Sequence, residues 1–165
     1  MDTPRKIILW SLIIIGIFAV FRTTLIFSSA SDDPQEKITF ETGEIKISGH
    51  KLFVELATSE KQRGRGLSYR QEIKSDAGML FIFDRAGKPG FWMREMNFPL
   101  DIIWLDTNRN VVFLNKNISP NTYPQIFQSP LPIKYVLEMK AGEIDNLKIK
   151  IGSHLGFKHF GFLWF

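Results

Sequence analysis

Two carboxylates and a handful of arginines are the side chains of this chain whose surroundings suggest chemistry. Asp101 stands inside the apolar run Leu100–Leu105, and Glu138 inside Tyr135–Met139. In extended backbone successive side chains point to opposite faces, so Asp101 shares a face with Ile103 and Leu105, and Leu100, Ile102 and Trp104 share the other. A carboxylate on an apolar face is either at a wet strand end or buried and paired, because an unpaired buried one neutralises by raising its pKa. Two roles therefore stay open for Asp101. It accepts hydrogen bonds from an arginine or from backbone N–H groups and fixes a turn, or it binds a ligand and moves a proton. Glu138 has the same two roles, with Val136 and Lys140 on its face. Arg70 and Arg94 are the basic partners available to either acid. With Trp92 as an aromatic surface, the candidate ligand-binding residues are Arg70, Trp92, Asp101 and Glu138.

Other chemistry is excluded by residue type or spacing. The chain has no cysteine, so disulfides, thiolate metal sites and a cysteine nucleophile are ruled out. His50, His154 and His159 have no metal-ligand spacing with one another or with a carboxylate, and no metal or cofactor is expected. There is no G-x-S-x-G elbow, phosphate loop or G-x-G-x-x-G; Gly64-Arg65-Gly66 lacks the preceding strand and the third glycine. No catalytic constellation is recognisable, and whether the protein is an enzyme stays open.

The elements that must position these residues read as mostly β. Lys37–Phe40, Glu44–Ile47 and Lys51–Ala57 alternate polar and apolar, the last two around the turn Ser48-Gly49-His50, which is a hairpin pattern. Ser59 and Gln62 have capping-box spacing, so a short helix starts at Ser59, and Gly64 and Gly66 stop it within two turns. The segment that follows is the most basic of the domain, with Lys61, Arg63, Arg65 and Arg70. It is either a solvated loop face or an anion-binding loop. Strands are predicted at Gly78–Phe83, Phe91–Met96, Leu100–Leu105, Val111–Leu114, Tyr135–Met139 and Lys148–Ile151, and one or two helical turns within Ala141–Leu147. Pro99 cannot donate to a ladder and belongs at a strand start or an edge. Asn115–Pro132 is predicted to be a long loop, holding four of the eight prolines; loops of that length tend to be functional or mobile. The tail His154–Phe165 is a final strand or an exposed aromatic patch. About eight short strands point to a mainly β fold, a small antiparallel β-barrel or sandwich-like domain with one or two short helices.

Ahead of this domain lies a different kind of segment. Arg5 and Lys6 precede fifteen uncharged residues, Ile7–Phe21, and the apolar stretch continues to Phe27 around Arg22. It reads as a signal-anchor of about 20 residues, or as a secretory signal cleaved near Ala30. Both put Arg5 and Lys6 on the cytoplasmic side and the rest outside it. The organisation is thus residues 1–30 as anchor or signal, 31–37 as linker and 38–165 as the β-rich domain. The net charge is +4, but beyond the first thirty residues 18 basic groups face 16 acidic ones. Nucleic acid is therefore not an expected partner.

Gly66-Leu67-Ser68-Tyr69-Arg70, Gly78-Met79-Leu80-Phe81, Phe91-Trp92-Met93, Pro99-Leu100-Asp101-Ile102 and Tyr135-Val136-Leu137-Glu138 with Gly142 occur in an order that resembles the domain of unknown function 192 family. The resemblance implies a small, mostly β domain, often exported or membrane-anchored, with no established biochemical activity. Ser68 stands where that family usually has Met, and Arg94-Glu95-Met96 where it has a basic-Asn-Thr run. A ligand role resting on that Asn-Thr pair is not carried over.

The expectation is a single-pass protein of the cytoplasmic membrane with its domain outside the cytoplasm. It would serve as a binding or interaction module of the cell envelope, with the membrane and an envelope ligand or protein as partners. The alternative is an enzyme using a carboxylate such as Asp101 with an arginine as anion-binding group. Convergence separates the two: Asp101, Glu138 and an arginine must meet in one concave pocket for the enzyme to stand.

Overall fold

The computed structural model describes residues 38–159; the expected N-terminal helix, its linker and residues 160–165 lie outside them. Seven strands are present among the described residues: β1 (Glu41–Ile47), β2 (His50–Ala57), β3 (Ala77–Gly87), β4 (Leu100–Leu105), β5 (Val111–Ile118), β6 (Ile133–Lys140) and β7 (Leu155–His159). Two short helices, α1 (Glu60–Arg65) and α2 (Glu143–Asn146), and a 3-10 turn at Pro120–Thr122 complete the elements. Among the described residues no helix is long and apolar enough to cross a membrane.

The strands form one sheet in the order β5-β4-β6-β3-β2-β1-β7. It curls until its two edges touch at one point. Asn110 bridges His154, and the Val111 N–H donates to the Ser153 carbonyl at 2.8 Å. The result is a half-barrel. The mainly β expectation holds, but the sheet is mixed rather than antiparallel, because β2 and β3 run parallel. Residues 58–76 carry the chain back over the sheet through α1, and parallel neighbours require such a crossover of about a dozen residues or more.

Local chemistry explains the well-read pieces. Ser48 and Gly49 have φ of 48° and 89°, and Ile47 pairs with His50. That is a two-residue turn whose positive φ angles match the strand twist. Ser59 accepts from the Gln62 N–H, and the Gln62 side chain returns a bond to the Ser59 N–H, which closes the capping box of α1.

Two cores lie on opposite faces of the sheet. The inner one draws residues from all seven strands, among them Ile45, Leu52, Leu80, Ile103, Val111, Leu137 and Leu155, and is plugged by Ile144 and Ile149. The outer one holds Met79, Phe81, Ile102, Trp104 and Val136 under loop residues such as Leu67 and Met93. All six residues of β4 are buried, as expected of a strand covered on both faces. The Trp104 indole N–H donates to Asn115 Oδ1 at 2.8 Å, so its one polar atom is satisfied.

Gly78 marks a close approach between strands. A Cβ there would lie 2.8 Å from the Glu138 carbonyl oxygen and 3.0 Å from Leu137 Cδ1. Gly78→Ala is expected to cost about 1–3 kcal/mol by overpacking, read as a lower denaturation midpoint with an unchanged m-value.

Three expectations are corrected. Phe91–Met96 is not a strand and makes one isolated bridge, Phe91 to Phe127. Its later carbonyls are used by the loop after α1: Arg94 accepts from Ser68 Oγ at 3.0 Å and Glu95 from the Tyr69 N–H at 2.8 Å. Lys148–Ile151 is a turn, with Lys148 at φ 53° and the Ile149 N–H bonded back to Ile144 at 2.9 Å. Finally, β5 runs on to Ile118, which shortens the predicted long loop.

Candidate functional site

The structure separates the two acids. Ile102 and Glu138 are register partners, and Asp101 faces Met139 instead. Glu138 therefore lies on the outer face and Asp101 on the inner one.

Asp101 is fully buried, and both its oxygens are engaged. Oδ1 accepts from the Asn117 N–H and Oδ2 from the Ile144 N–H, each at 2.8 Å. Opposite Asp101 the β4–β5 register shifts, and Asn117 takes φ 51°, the geometry of a bulge. Ile144 is the second residue of α2, whose N-cap Gly142 has no side chain to cap the helix. A carboxylate from β4 does that work from across the fold. The geometry gives Asp101 a structural part: each oxygen accepts a backbone N–H, and the side chain is sealed from solvent.

Glu138 is different. It is 6% exposed, and no side chain or backbone group among the described residues donates a hydrogen bond to its carboxyl. Burial pushes its pKa up to about 8, with the Arg70 charge pulling the other way. The residue lines a cleft of about 250 Å³. Glu55 on β2, Met79 on β3, Glu138 on β6 and Ile102 on β4 form one row across the outer face. Arg70 closes the β2 end of that row. Its guanidinium takes both Glu55 oxygens, at 2.5 and 2.7 Å, and Phe40 packs against it. This bidentate bond raises the Arg70 pKa. Arg70 is thus committed to Glu55 and reaches Glu138 only through its field.

The walls of the cleft come from three places. β3 supplies Phe81 and Phe83, the loop before β4 supplies Phe91 and Trp92, and α1 with its exit supplies Arg63, Gly64, Arg65 and Gly66. Phe91 stands edge-on to Phe81 at 4.9 Å and to Trp104 at 5.3 Å, which fixes the aromatic wall. Trp92 is half exposed, with the Arg94 guanidinium over its ring at 5.4 Å. Arg63 bonds the carbonyls of Thr58 and Ile82 and stacks on Phe83. Arg65 lies over Tyr69 at 4.5 Å and has no hydrogen-bond or ion-pair partner among the described residues.

Of the four sequence candidates, Glu138 and Trp92 therefore meet in one cleft, Arg70 sits behind it and Asp101 is elsewhere. The residues missed are Arg63 and Arg65, read only as part of a basic loop, and the aromatic pair Phe81 and Phe83. The period-two spacing of Phe81 and Phe83 with Met79 was the available signal. His50 and His154 take no part; His154 Nδ1 lies 3.2 Å from Asn110 Oδ1 at the surface. A larger hollow of about 550 Å³ beside Arg70 and Phe53 is lined by Glu44, Glu55 and Glu72. There Glu55 is already paired with Arg70, and Glu44 lies near Lys51 and Lys158.

A curled half-barrel with a loop-covered outer face, holding a carboxyl without a hydrogen-bonded partner among the described residues in an aromatic cleft, is the class of protein these features define. The sequence profile of the domain of unknown function 192, described as an uncharacterized ACR, matches residues 43–157, and the chain belongs to that family. Two crystal structures are similar. A protein of Sinorhizobium meliloti 1021, provisionally described as a transcription regulator, is 31% identical with a TM-score of 0.70, over 73% of this chain and 97% of that one. A protein of unknown function from Novosphingobium aromaticivorans DSM 12444 is 28% identical with a TM-score of 0.65, over 78% and 93%. No curated protein matches.

Proposed function

We propose that this protein is a small-molecule-binding module, held at the outer side of the cytoplasmic membrane by its N-terminal segment, with the Glu138 cleft as its site. The observation that carries the reading is the Glu138 carboxyl, on a largely buried residue, without a hydrogen-bonded partner among the described residues and open to a cavity with aromatic walls. Apolar pockets with a few convergent polar groups are the usual form of ligand sites. The tether rests on Arg5-Lys6 followed by the apolar stretch Ile7–Phe27. An enzyme built on Asp101 finds no support, since that carboxylate and Glu138 occupy opposite faces. A nucleic-acid role, by analogy with the Sinorhizobium protein, is disfavoured by the near-balanced charge beyond residue 30.

The test is ligand-observed NMR of the full chain in detergent against a set of small aromatic probes, with tryptophan fluorescence as reporter. Probes are expected to bind and to perturb Trp92, identified by comparison with Trp92→Phe. Trp92→Ala should weaken them by about three- to tenfold, the worth of one aromatic contact. Binders indifferent to both variants would place the site elsewhere.

A further inference from the structure

We infer that the ligand of the Glu138 cleft is a small planar organic acid, a carboxylate on an aromatic or similarly flat body, with its anionic end at Arg65 in the mouth and its flat body between Phe83, Phe91 and Trp92. The inference rests on the reading of this cleft as the binding site and adds the chemical class of its occupant.

Size comes first. A volume of about 250 Å³ lies just below the usual range of drug-sized ligand sites, which suits a single ring with a short substituent. Shape is set by the walls, since the rings of Phe81, Phe83, Phe91 and Trp92 all border the space and aromatic faces and edges favour a flat guest.

Charge selects the head group. The ionisable residues lining the cleft are Glu60, Arg63, Arg65 and Glu138. With Glu138 protonated, two guanidinium groups against Glu60 leave one net positive charge. Arg63 is held by two backbone carbonyls and contributes field rather than free donors. Arg65 keeps its planar fork of N–H donors unengaged among the described residues, and that fork matches a carboxylate in two parallel bonds. A cationic guest would meet both arginines at the entrance.

Glu138 suits an anionic guest only while neutral. Its strand neighbours Met79 and Ile102 are apolar, Glu55 beyond Met79 is neutralised by Arg70, and the groups facing it from α1 are Glu60, Arg63 and Arg65. Protonated, it offers an O–H donor to a carbonyl or hydroxyl of the guest; ionised, it repels the guest.

The experiment is calorimetric titration of the full chain in detergent with three ring-matched probes: benzoate, benzyl alcohol and benzyltrimethylammonium. At pH 6.5, a setting chosen to lie below the Glu138 pKa of about 8, benzoate is expected to bind about tenfold or more tighter than the other two. Arg65→Gln should erase that preference without changing the melting temperature. Benzoate affinity should fall as pH rises through about 8, and Glu138→Gln should keep the affinity while flattening this dependence. Tightest binding of the ammonium probe, or equal binding of all three, would overturn the acid assignment and leave the cleft as a ligand site. Failure of every probe to bind would remove the cleft reading itself.

Discussion

Asp101→Asn is expected to lower the thermal midpoint by roughly 10 °C, a loss of about 2–4 kcal/mol. The two backbone N–H groups that end on its carboxylate come from Asn117 in the β5 bulge and Ile144 in α2. An amide keeps one acceptor and turns an N–H against the other donor, so one buried N–H is orphaned. The consequence spreads because α2 spans only Glu143–Asn146. A single helical turn does not hold itself, since nucleation costs more than one hydrogen bond returns. Without its borrowed cap, Ile144 loses the anchor that seats it in the inner core. Asp101→Ala should cost more, because both donors are orphaned and a cavity opens. Thermal unfolding by circular dichroism reads both variants, and an unshifted midpoint for Asp101→Asn would show that the carboxylate does not clasp the β5 bulge to α2.

The second large effect is the pH dependence of stability created by Glu138. Its folded pKa is raised from 4.5 to about 8, chiefly by burial. The folded state thus holds a proton that the unfolded chain releases at lower pH. The corresponding stability is fully present below pH 4.5 and is lost progressively as pH rises to about 8. Integrated over that window the change is on the order of a few kcal/mol. Glu138→Gln should remove this slope, and Glu138→Met should go further and stabilise the fold at pH 8, since an apolar side chain of similar length has no charge to desolvate. Urea titrations at several pH values check both. Parallel pH profiles for the wild type and Glu138→Gln would mean that the carboxyl is solvated and that the cleft floor is wet. A stabilised Glu138→Met variant that no longer binds acids would show the carboxyl to be kept for function at the expense of stability.

Much of the architecture was legible from local rules. The Ser48-Gly49 turn, the Ser59–Gln62 capping box and the alternation in β2 are decided within a few residues, and the structure holds all three. Alternation also assigned the faces of β4 correctly, with Asp101 beside Ile103 and Leu105. The pairing of β2 with β3 was not legible, because a parallel neighbour is chosen by a crossover rather than by a turn. Phe91–Met96 has strand-like composition, yet part of its backbone is bonded to Ser68 and Tyr69, far away in sequence. The acids show the division most plainly. Strand period and hydrophobic pattern are local, so the chain alone put Asp101 on an apolar strand face and Glu138 on a face shared with Val136 and Lys140. Which of them is clasped and which opens into a cleft follows from contacts distant in the chain. That outcome depends on what covers each face: the β5 bulge and α2 over Asp101, the arginine loop and the Phe91–Trp92 segment over Glu138.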